Sequence, residues 1–315
     1  MAEIGKDLAK AKALLKRGEL VAIPTETVYG LAGNALNADA VTKIFEVKNR
    51  PSFDPLIVHV ASLHSVSHYA DNLPLKALAL AKQFWPGPLT LLFKKKNIIP
   101  DIVTSGLDSV GLRCPNHELT RSLLEKLDFP LAAPSANPFG YVSPTRPEHV
   151  NEQLGDKIAY ILDGGVCKVG IESTIVGFVH DKPTVFRLGG LSIEEIEKVV
   201  GSVDLSLNAS SNPKAPGQLK SHYAPGKRVR IGNIEELVQE VVLQRTAVLS
   251  FQKDYKVPHQ FILSPTGNMA EAAKNLFLAL RTLDKLPVDT ILTEYVPAEG
   301  LGNAINDRLR RAAAV

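Results

Sequence analysis

The side chains best suited to chemistry lie in residues 24–59, PTETVYGLAGNALNADAVTKIFEVKNRPSFDPLIVH. An apolar run, predicted to form a strand, leads into the hydroxyl and carboxyl groups of residues 25–27. A predicted helix further along ends with Lys48 and Arg50 and is stopped by Pro51. Cations at a helix C-terminus are often only solvated charges, which the helix dipole favours. Here the chain must leave the helix at Pro51, so we expect both cations to lie at a strand-rich edge of the fold. A polar cluster facing two such cations favours an anionic ligand with several phosphates.

A second polar segment is residues 131–145, LAAPSANPFGYVSPT. Its apolar strand ends at Pro134, and Ser135, Asn137 and Ser143 follow among proline and glycine. Such residues also form ordinary turns. Hydroxyl, amide and exposed backbone N–H groups after a strand nevertheless suit a nucleotide-binding loop, and we interpret the segment in that way.

Four more polar residues lie in or beside apolar β-type runs. Arg113, in VGLRCP with Ser109 just before it, is costly to bury unless it meets an anion or a carboxylate, so it indicates either a structural ion pair or a ligand carboxylate. Ser173 follows a glycine-flanked turn in GIESTIVGF, and VFRLGG places Arg187 in a neighbouring strand. His59, in LIVHV, is by its pattern a core histidine.

Short helices and strands are interleaved over residues 1–205. Helical periodicity predicts helices over residues 38–48, 74–84, 117–127 and 192–200. The last of these opens with Ser192 and Glu195 in the spacing of a capping box. Apolar runs predict strands at residues 20–23, 56–60, 89–93, 131–133, 159–162, 174–178 and 184–187. So many strands with so few helices predict a mixed sheet, not a strictly alternating parallel one.

Residues 206–228, SLNASSNPKAPGQLKSHYAPGKR, change in composition and predict an interdomain linker. The segment SHYAPG around Tyr223 is denser than a plain spacer. Residues 229–315 predict a small Rossmann-like α/β domain that lacks the G-x-G-x-x-G of a dinucleotide site. Its predicted strands are 228–231, 246–250, 260–263 and 288–292, and its predicted helices are 234–242, 269–285 and 302–313.

Composition narrows the class of protein. A chain of 315 residues with 45% hydrophobic residues can bury one large core and a smaller second one. A net charge of +3 excludes a polybasic nucleic-acid binder, and the chain has no apolar run of about 18 residues, so no membrane span is expected. The first 20 residues predict an amphipathic helix and not a signal peptide. Cys114 and Cys167 lack metal-ligand spacing and are expected to be reduced thiols, which favours a cytoplasmic protein.

The sequence shows no Ser–His–Asp arrangement, no paired-carboxylate signature and no His/Cys metal cluster. That favours a reaction driven by positioning and charge neutralisation over covalent catalysis.

Together these motifs resemble the signature of the YrdC-type threonylcarbamoyl-AMP synthases. The segments APGQLKSHYAP and GLGNAINDRLRRAA are similar to those of the longer, two-domain version. The resemblance implies a YrdC-like twisted mixed sheet with flanking helices in residues 1–205. It also implies nucleotidyl transfer that joins L-threonine, bicarbonate and ATP into threonylcarbamoyl-AMP and pyrophosphate. A partner transferase would then use the product to modify the adenosine next to the tRNA anticodon.

The same resemblance implies roles for individual residues. Around L-threonine it places Thr27, His59, Arg113, Ala133 and Ser173. Around ATP it places Lys48, Arg50, Asp54, Ser109, Ser135, Asn137, Ser143, Arg187 and Tyr223. Lys48 and Arg50, with Mg²⁺, would stabilise charge on the departing pyrophosphate. Asp54 stands where relatives often carry Asn, so its carboxylate either recruits Mg²⁺ beside the triphosphate or points away from it.

Two alternatives come from the same domain type. One is an RNA-binding module, since the linker holds Lys214, Lys220, Lys227 and Arg228; base-stacking aromatic residues are not clustered with these cations, and a weak tRNA contact stays open. The other is the carbamoyl-transfer enzyme of hydrogenase maturation. That enzyme is much larger and has cysteine-rich zinc motifs, which two cysteines cannot supply.

Overall fold

The computed structural model describes residues 1–207, 215–216 and 222–314. These residues form a large sheet and a small sheet, with helices packed against both. Parallel and antiparallel pairs occur together in the large sheet, whereas the pairs of the small sheet are parallel. The predicted mixed α/β fold with a small Rossmann-like second unit is therefore confirmed.

The large sheet has 12 strands in the order β1-β9-β2-β3-β8-β4-β7-β6-β10-β11-β12, with β5 paired to β6. They are β1 Glu3–Gly5, β2 Val21–Ile23, β3 Gly30–Asn34, β4 Ile57–His59, β5 Ala70–Asp71, β6 Leu89–Lys95, β7 Ser109–Arg113, β8 Leu131–Ala132, β9 Tyr160–Leu162, β10 Thr174–Val179, β11 Lys182–Arg187 and β12 Asp204–Leu205. The central position of β8, β4 and β7 brings three widely separated parts of the chain to one end of the sheet.

Helices cover the faces of this sheet. They are α1 Leu8–Lys16, α2 Ala38–Lys48, α3 Val66–Tyr69, α4 Leu75–Phe84, α5 Asp101–Thr104, α6 Glu118–Glu125, α7 Pro147–Leu154 and α8 Ile193–Val200. Helix α2 ends at Lys48, as its pattern predicts, because Asn49 takes the left-handed conformation and Pro51 cannot continue the helix. Helix α8 begins with the predicted capping box of Ser192 and Glu195.

Strand β3 was not predicted, because its two glycines disfavour a strand by propensity. The packing explains them: a Cβ on Gly30 would lie 3.2 Å from the Ala133 Cβ, and one on Gly33 would lie 3.0 Å from Leu20 Cδ2. Glycine thus lets β3 lie close to its neighbours. Strand β1 and helix α7, which begins at Pro147, were also missed.

The small sheet has the parallel order β13-β16-β14-β15. Its elements are β13 Arg228–Ile231, α9 Ile234–Leu237, β14 Thr246–Ser250, β15 Gln260–Ile262, α10 Met269–Asp284, β16 Thr290–Thr293 and α11 Gly302–Ala312. Helix α9 is shorter than its prediction of 234–242 because the chain continues in 3-10 turns.

One apolar core joins the two sheets. It contains Leu91 of the large sheet together with Ile291 of the small sheet and Phe277 of α10. Arg281 of α10 also donates hydrogen bonds to the backbone carbonyls of Val142 and Ser143. The C-terminal unit therefore packs directly on the segment that follows β8. Within the described ranges, no helix is long and apolar enough to cross a bilayer.

Candidate active site

A cleft with an empty volume of about 560 Å³ lies where β2, β4, β7 and β8 end. Of the predicted site residues, those that line it are Thr27, Arg50, His59, Arg113, Ala133, Ser135, Arg187 and Tyr223. Those that lie behind the lining, bonded to it or to its loops, are Lys48, Asp54, Asn137, Ser143 and Ser173. The fold thus gathers residues spread over most of the sequence, with Ser109 as the exception.

Arg113 lines the cleft and is itself buried. Its Nη2 donates to Thr27 Oγ1 at 2.9 Å and lies 2.8 Å from Glu26 Oε1, while Nε donates to the Gly87 carbonyl. The structural ion pair considered from the sequence therefore exists. In the described part of the chain Nη1 has no partner, so the guanidinium keeps a donor for an anionic ligand.

His59 pairs with Arg113 across β4 and β7, and its ring is buried in the cleft wall. Burial and, secondarily, the Arg113 charge lower the pKa of His59 to about 3. The ring is therefore neutral near pH 7 and a weak proton acceptor. Its Nδ1 has no hydrogen-bond partner among the described residues, so the ring can still hydrogen-bond a ligand.

Lys48 supports the predicted nucleotide loop from behind. Its ammonium donates to the carbonyl oxygens of Ser135, at 2.7 Å, and Asn137. Complete burial, followed by the nearby Arg50 charge, lowers the pKa of Lys48 well below its usual value. The Asn137 amide in turn donates to the carbonyl of Tyr141. The loop is thus tied down at both its lysine and its asparagine.

Arg50 and Asp54 form a buried pair beside the cleft. Arg50 Nη2 lies 2.9 Å from Asp54 Oδ2, and Nε donates to the Asp54 carbonyl at 3.0 Å. Burial raises the pKa of Asp54, while the Arg50 and Lys48 charges oppose that rise. The Asp54 carboxylate is directed at Arg50 and does not line the cleft. Within the described ranges its Oδ1 has no hydrogen-bond donor.

Ser173 is engaged mainly with Arg187. Arg187 donates from Nε to the Ser173 carbonyl and from Nη2 to Ser173 Oγ, each at 3.0 Å, and Thr90 shares a 2.8 Å hydrogen bond with the same hydroxyl. Ser173 therefore orients Arg187 toward the cleft and does not itself line it.

Ser109 lies outside the cleft, in a separate groove of about 710 Å³. It begins β7, whose far end is Arg113, and the alternation of side chains puts both on one sheet face. Four residues of strand separate them by about 13 Å. The groove is lined by apolar and aromatic side chains that include Leu92, Phe178 and Phe186.

Glu172 and His222 are two of the lining residues that had no predicted role. Glu172 lies in the glycine-flanked segment GIESTIVGF, and its Oε1 accepts a 2.6 Å hydrogen bond from Ser143 Oγ. His222 precedes Tyr223 and packs edge-on against Phe139. The sequence signal that could have indicated them is adjacency, because Glu172 precedes Ser173 and His222 precedes Tyr223, and both neighbours were predicted site residues.

No group of three or more His, Cys, Asp or Glu side chains within the described ranges is arranged to hold a metal ion.

The large sheet and its charged cleft define an α/β protein of the YrdC type with an appended parallel α/β unit. The family model Sua5_yciO_yrdC, described as telomere recombination, matches residues 13–189. The model Sua5_C, described as the threonylcarbamoyl-AMP synthase C-terminal domain, matches residues 191–314. The chain belongs to the two-domain Sua5 family of threonylcarbamoyl-AMP synthases.

Similar proteins span nearly the whole chain. The threonylcarbamoyl-AMP synthase of Pyrococcus abyssi is 42% identical over 96% of this chain and 93% of its own length. That of Bacillus subtilis is 41% identical, with 97% and 92% covered. A crystal structure of P. abyssi Sua5 complexed with L-threonine has a TM-score of 0.93 and 40% identity, covering 99% of this chain and 97% of that one.

Proposed function

We propose that the chain joins L-threonine, bicarbonate and ATP into threonylcarbamoyl-AMP with release of pyrophosphate. The observation that carries this proposal is the buried Arg113, whose Nη1 has no partner among the described residues, in a cleft that Arg50 and Arg187 also line. One arginine suits an amino-acid carboxylate, and the other two suit phosphates. The relatives named as synthases, and the one bound to L-threonine, support the same assignment.

Threonine would bind with its carboxylate on Arg113. Thr27 and His59 lie beside that guanidinium and would contact the hydroxyl and amine, while Ala133 offers an apolar contact for the methyl group. Ser173 would act on threonine only indirectly, because its hydroxyl is held by Arg187 and Thr90.

ATP would occupy the part of the cleft that is lined by Arg50, Ser135, Arg187 and Tyr223, and these residues would contact it directly. Lys48 adds positive charge from behind the loop, and Asn137 holds the shape of that loop. Ser143 contributes through Glu172. Ser109 lies far enough away that only the distal end of a bound adenylate would reach it.

Nucleotidyl transfer follows from this arrangement. The threonine amine adds to CO₂, derived from bicarbonate, and loses a proton to give a carbamate. A carbamate oxygen then attacks the α-phosphorus as the bond to the pyrophosphate oxygen breaks. Arg50, with Lys48 behind the loop, stabilises the charge that develops on the departing pyrophosphate. His59 is too weak a base to take the amine proton and serves as a neutral hydrogen-bonding group.

Mg²⁺ would be brought by ATP, since one or two carboxylates with substrate phosphates are its usual ligands. Asp54 does not line the cleft, because its carboxylate is directed at Arg50, so the phosphates and water would supply most ligands of the ion. When bound, the ion would neutralise phosphate charge.

We assign residues 1–205 to the catalytic unit, 206–228 to a linker that acts as a lid, and 229–315 to the C-terminal unit. Pro216, His222 and Tyr223 of the linker line the cleft, which supports the lid assignment. Much of the linker, including Lys214 and Lys220, lies outside the described residues. The product would pass to a cytoplasmic transferase that modifies tRNA.

The test of this function is substrate dependence. Purified protein should release pyrophosphate from ATP only when both threonine and bicarbonate are present. Serine should support weaker release, because a methyl group in an apolar pocket is worth only about 1–3 kcal/mol. Equal release with serine, or without any amino acid, would contradict the threonine assignment. Salt-dependent RNA binding with no ATP turnover would instead support the RNA-binding alternative.

A further inference from the structure

The C-terminal helix α11 carries a fully buried arginine that reaches the cleft wall. Arg308 has no exposed side-chain surface. Its Nε and Nη2 donate to Glu172 Oε2 at 3.2 and 3.1 Å, and its Nη1 donates to Asp307 Oδ2 at 3.2 Å. Glu172 precedes Arg308 by 136 residues, so this contact ties the last helix to the first unit.

Glu172 connects Arg308 to the nucleotide loop. It lines the cleft, and while Oε2 accepts from Arg308, Oε1 accepts from Ser143 Oγ at 2.6 Å. Both carboxylate oxygens are therefore held by named donors. Without the guanidinium, a nearly buried anion would stand unpaired in a cleft that must accept phosphates, and an unpaired buried charge is strongly unfavourable.

The same guanidinium supports the linker tyrosine. The Arg308 Cζ lies 5.1 Å from the centroid of the Tyr223 ring, a cation–π distance. The other side of the packing comes from α10, where Phe277 stacks with Tyr223 at 5.5 Å and 28°. Burial alone would lower the pKa of Arg308, but Tyr223, Glu172 and Asp307 outweigh burial and hold that pKa above its usual value. Arg308 is thus a permanent cation.

We propose that Arg308 is a positioning residue for the nucleotide half of the cleft. It neutralises Glu172, so that Glu172 can hold Ser143 without repelling phosphate, and it supports Tyr223 over the same region. Through α11 the C-terminal unit therefore completes the nucleotide site, in addition to packing against the first unit. This inference depends on the proposed function in one respect, which is that the bound nucleotide is ATP.

The experiment compares four variants by direct titration of ATP, which does not depend on turnover. Arg308→Gln removes the cation but keeps a polar side chain, and Arg308→Lys restores the charge without the two parallel donors. Glu172→Gln combined with Arg308→Gln removes both charges together. Arg310→Gln, on the exposed side of the same helix, is the matched control.

We expect Arg308→Gln to weaken ATP binding by about tenfold or more, because Glu172 is left unpaired beside the phosphates. Arg308→Lys should recover part of that loss. The double variant should also recover part of it, because it leaves no unpaired charge at position 172 but still lacks the cation beside Tyr223. Threonine KM should change less than ATP affinity in each variant. Arg310→Gln should bind ATP as the parent protein does.

Three results would overturn the proposal. The first is ATP binding by Arg308→Gln that equals that of the parent protein. The second is a double variant that binds ATP no better than Arg308→Gln. The third is equal losses for ATP and threonine with a lowered melting temperature, which would assign Arg308 to packing alone. Parent protein that binds ATP normally but releases no threonine-dependent pyrophosphate would contradict the proposed function and leave this inference to be decided by the titrations.

Discussion

The cations of the cleft are buried and bonded to the protein before any ligand arrives. Arg113 shows how such a residue can serve both fold and ligand: Glu26 and Thr27 fix one edge of the guanidinium, and Nη1 stays available. Fixing the group in advance lowers the entropy that a ligand must overcome on binding. The sequence predicted the two roles as alternatives, and the structure shows that one arginine has the geometry for both.

Replacing Arg113 should therefore act mainly on threonine. Arg113→Ala is expected to raise the threonine KM by about tenfold or more through loss of a charge-assisted contact, with a smaller effect on ATP affinity. Arg113→Lys keeps a charge for Glu26 and is the control for misfolding, since it should retain stability but not bidentate binding. Steady-state pyrophosphate release at varied threonine gives the KM. Unchanged threonine kinetics in Arg113→Ala would mean that the carboxylate binds elsewhere.

Arg50 should act mainly on turnover. Arg50→Ala loses a contact that strengthens as pyrophosphate departs, by analogy with an oxyanion-hole donor worth about 2.7–4 kcal/mol, so kcat should fall by roughly 10²–10³-fold. Lys48→Met, which removes the charge behind the loop but fills the space, should weaken ATP binding as well, because the carbonyls of Ser135 and Asn137 lose their donor. Single-turnover pyrophosphate release separates the two effects. A normal kcat in Arg50→Ala would exclude Arg50 from the departing group.

At the level of elements, the sequence predicted the helices with clear caps and the strands with continuous apolar runs. Helix α2 ends at the predicted Lys48, and α8 begins at its capping box. Strand β3 was not predicted from the sequence. Its glycines are explained by the close packing of Gly30 on Ala133 and of Gly33 on Leu20, which the local sequence does not show. The position of Lys48 behind its loop was not predicted either, because a sequence motif gives residue types and not the atoms that face a ligand.

The linker is the element whose behaviour should change on binding. Tyr223 lines the cleft and is buried against Phe277 and His222, so a closed linker would exclude water from a hydrolysable adenylate. Tyr223→Ala should lower activity while the fold is kept, and ATP plus threonine should slow proteolysis within residues 206–228. Tyr295→Ala, at an exposed tyrosine of the C-terminal unit, is the matched control. Normal activity of Tyr223→Ala together with ligand-independent cleavage would show that the linker is not a lid.

At the scale of the whole molecule, the boundary between the first unit and the C-terminal unit is packed: Leu91, Phe277 and Ile291 lie in one apolar cluster. Across the same boundary run the ion pair of Arg308 with Glu172 and the hydrogen bonds of Arg281. A boundary that shares core residues and buried charges cannot be opened without exposing apolar surface and leaving Glu172 unpaired.

The intact chain should therefore unfold in one cooperative transition, although it contains two sheets. In calorimetry the enthalpy from the area of the transition should equal the van't Hoff enthalpy, which is the test of two-state unfolding. The fragment 1–205 should melt at a lower temperature and bind an apolar dye, because the surface that faces α10 and α11 becomes exposed. Arg308→Gln in the intact chain gives the intermediate case, since it weakens the boundary without removing it. Two well-separated transitions in the intact chain, or a fragment as stable as the whole, would show that the units fold independently and that the shared core adds little to stability.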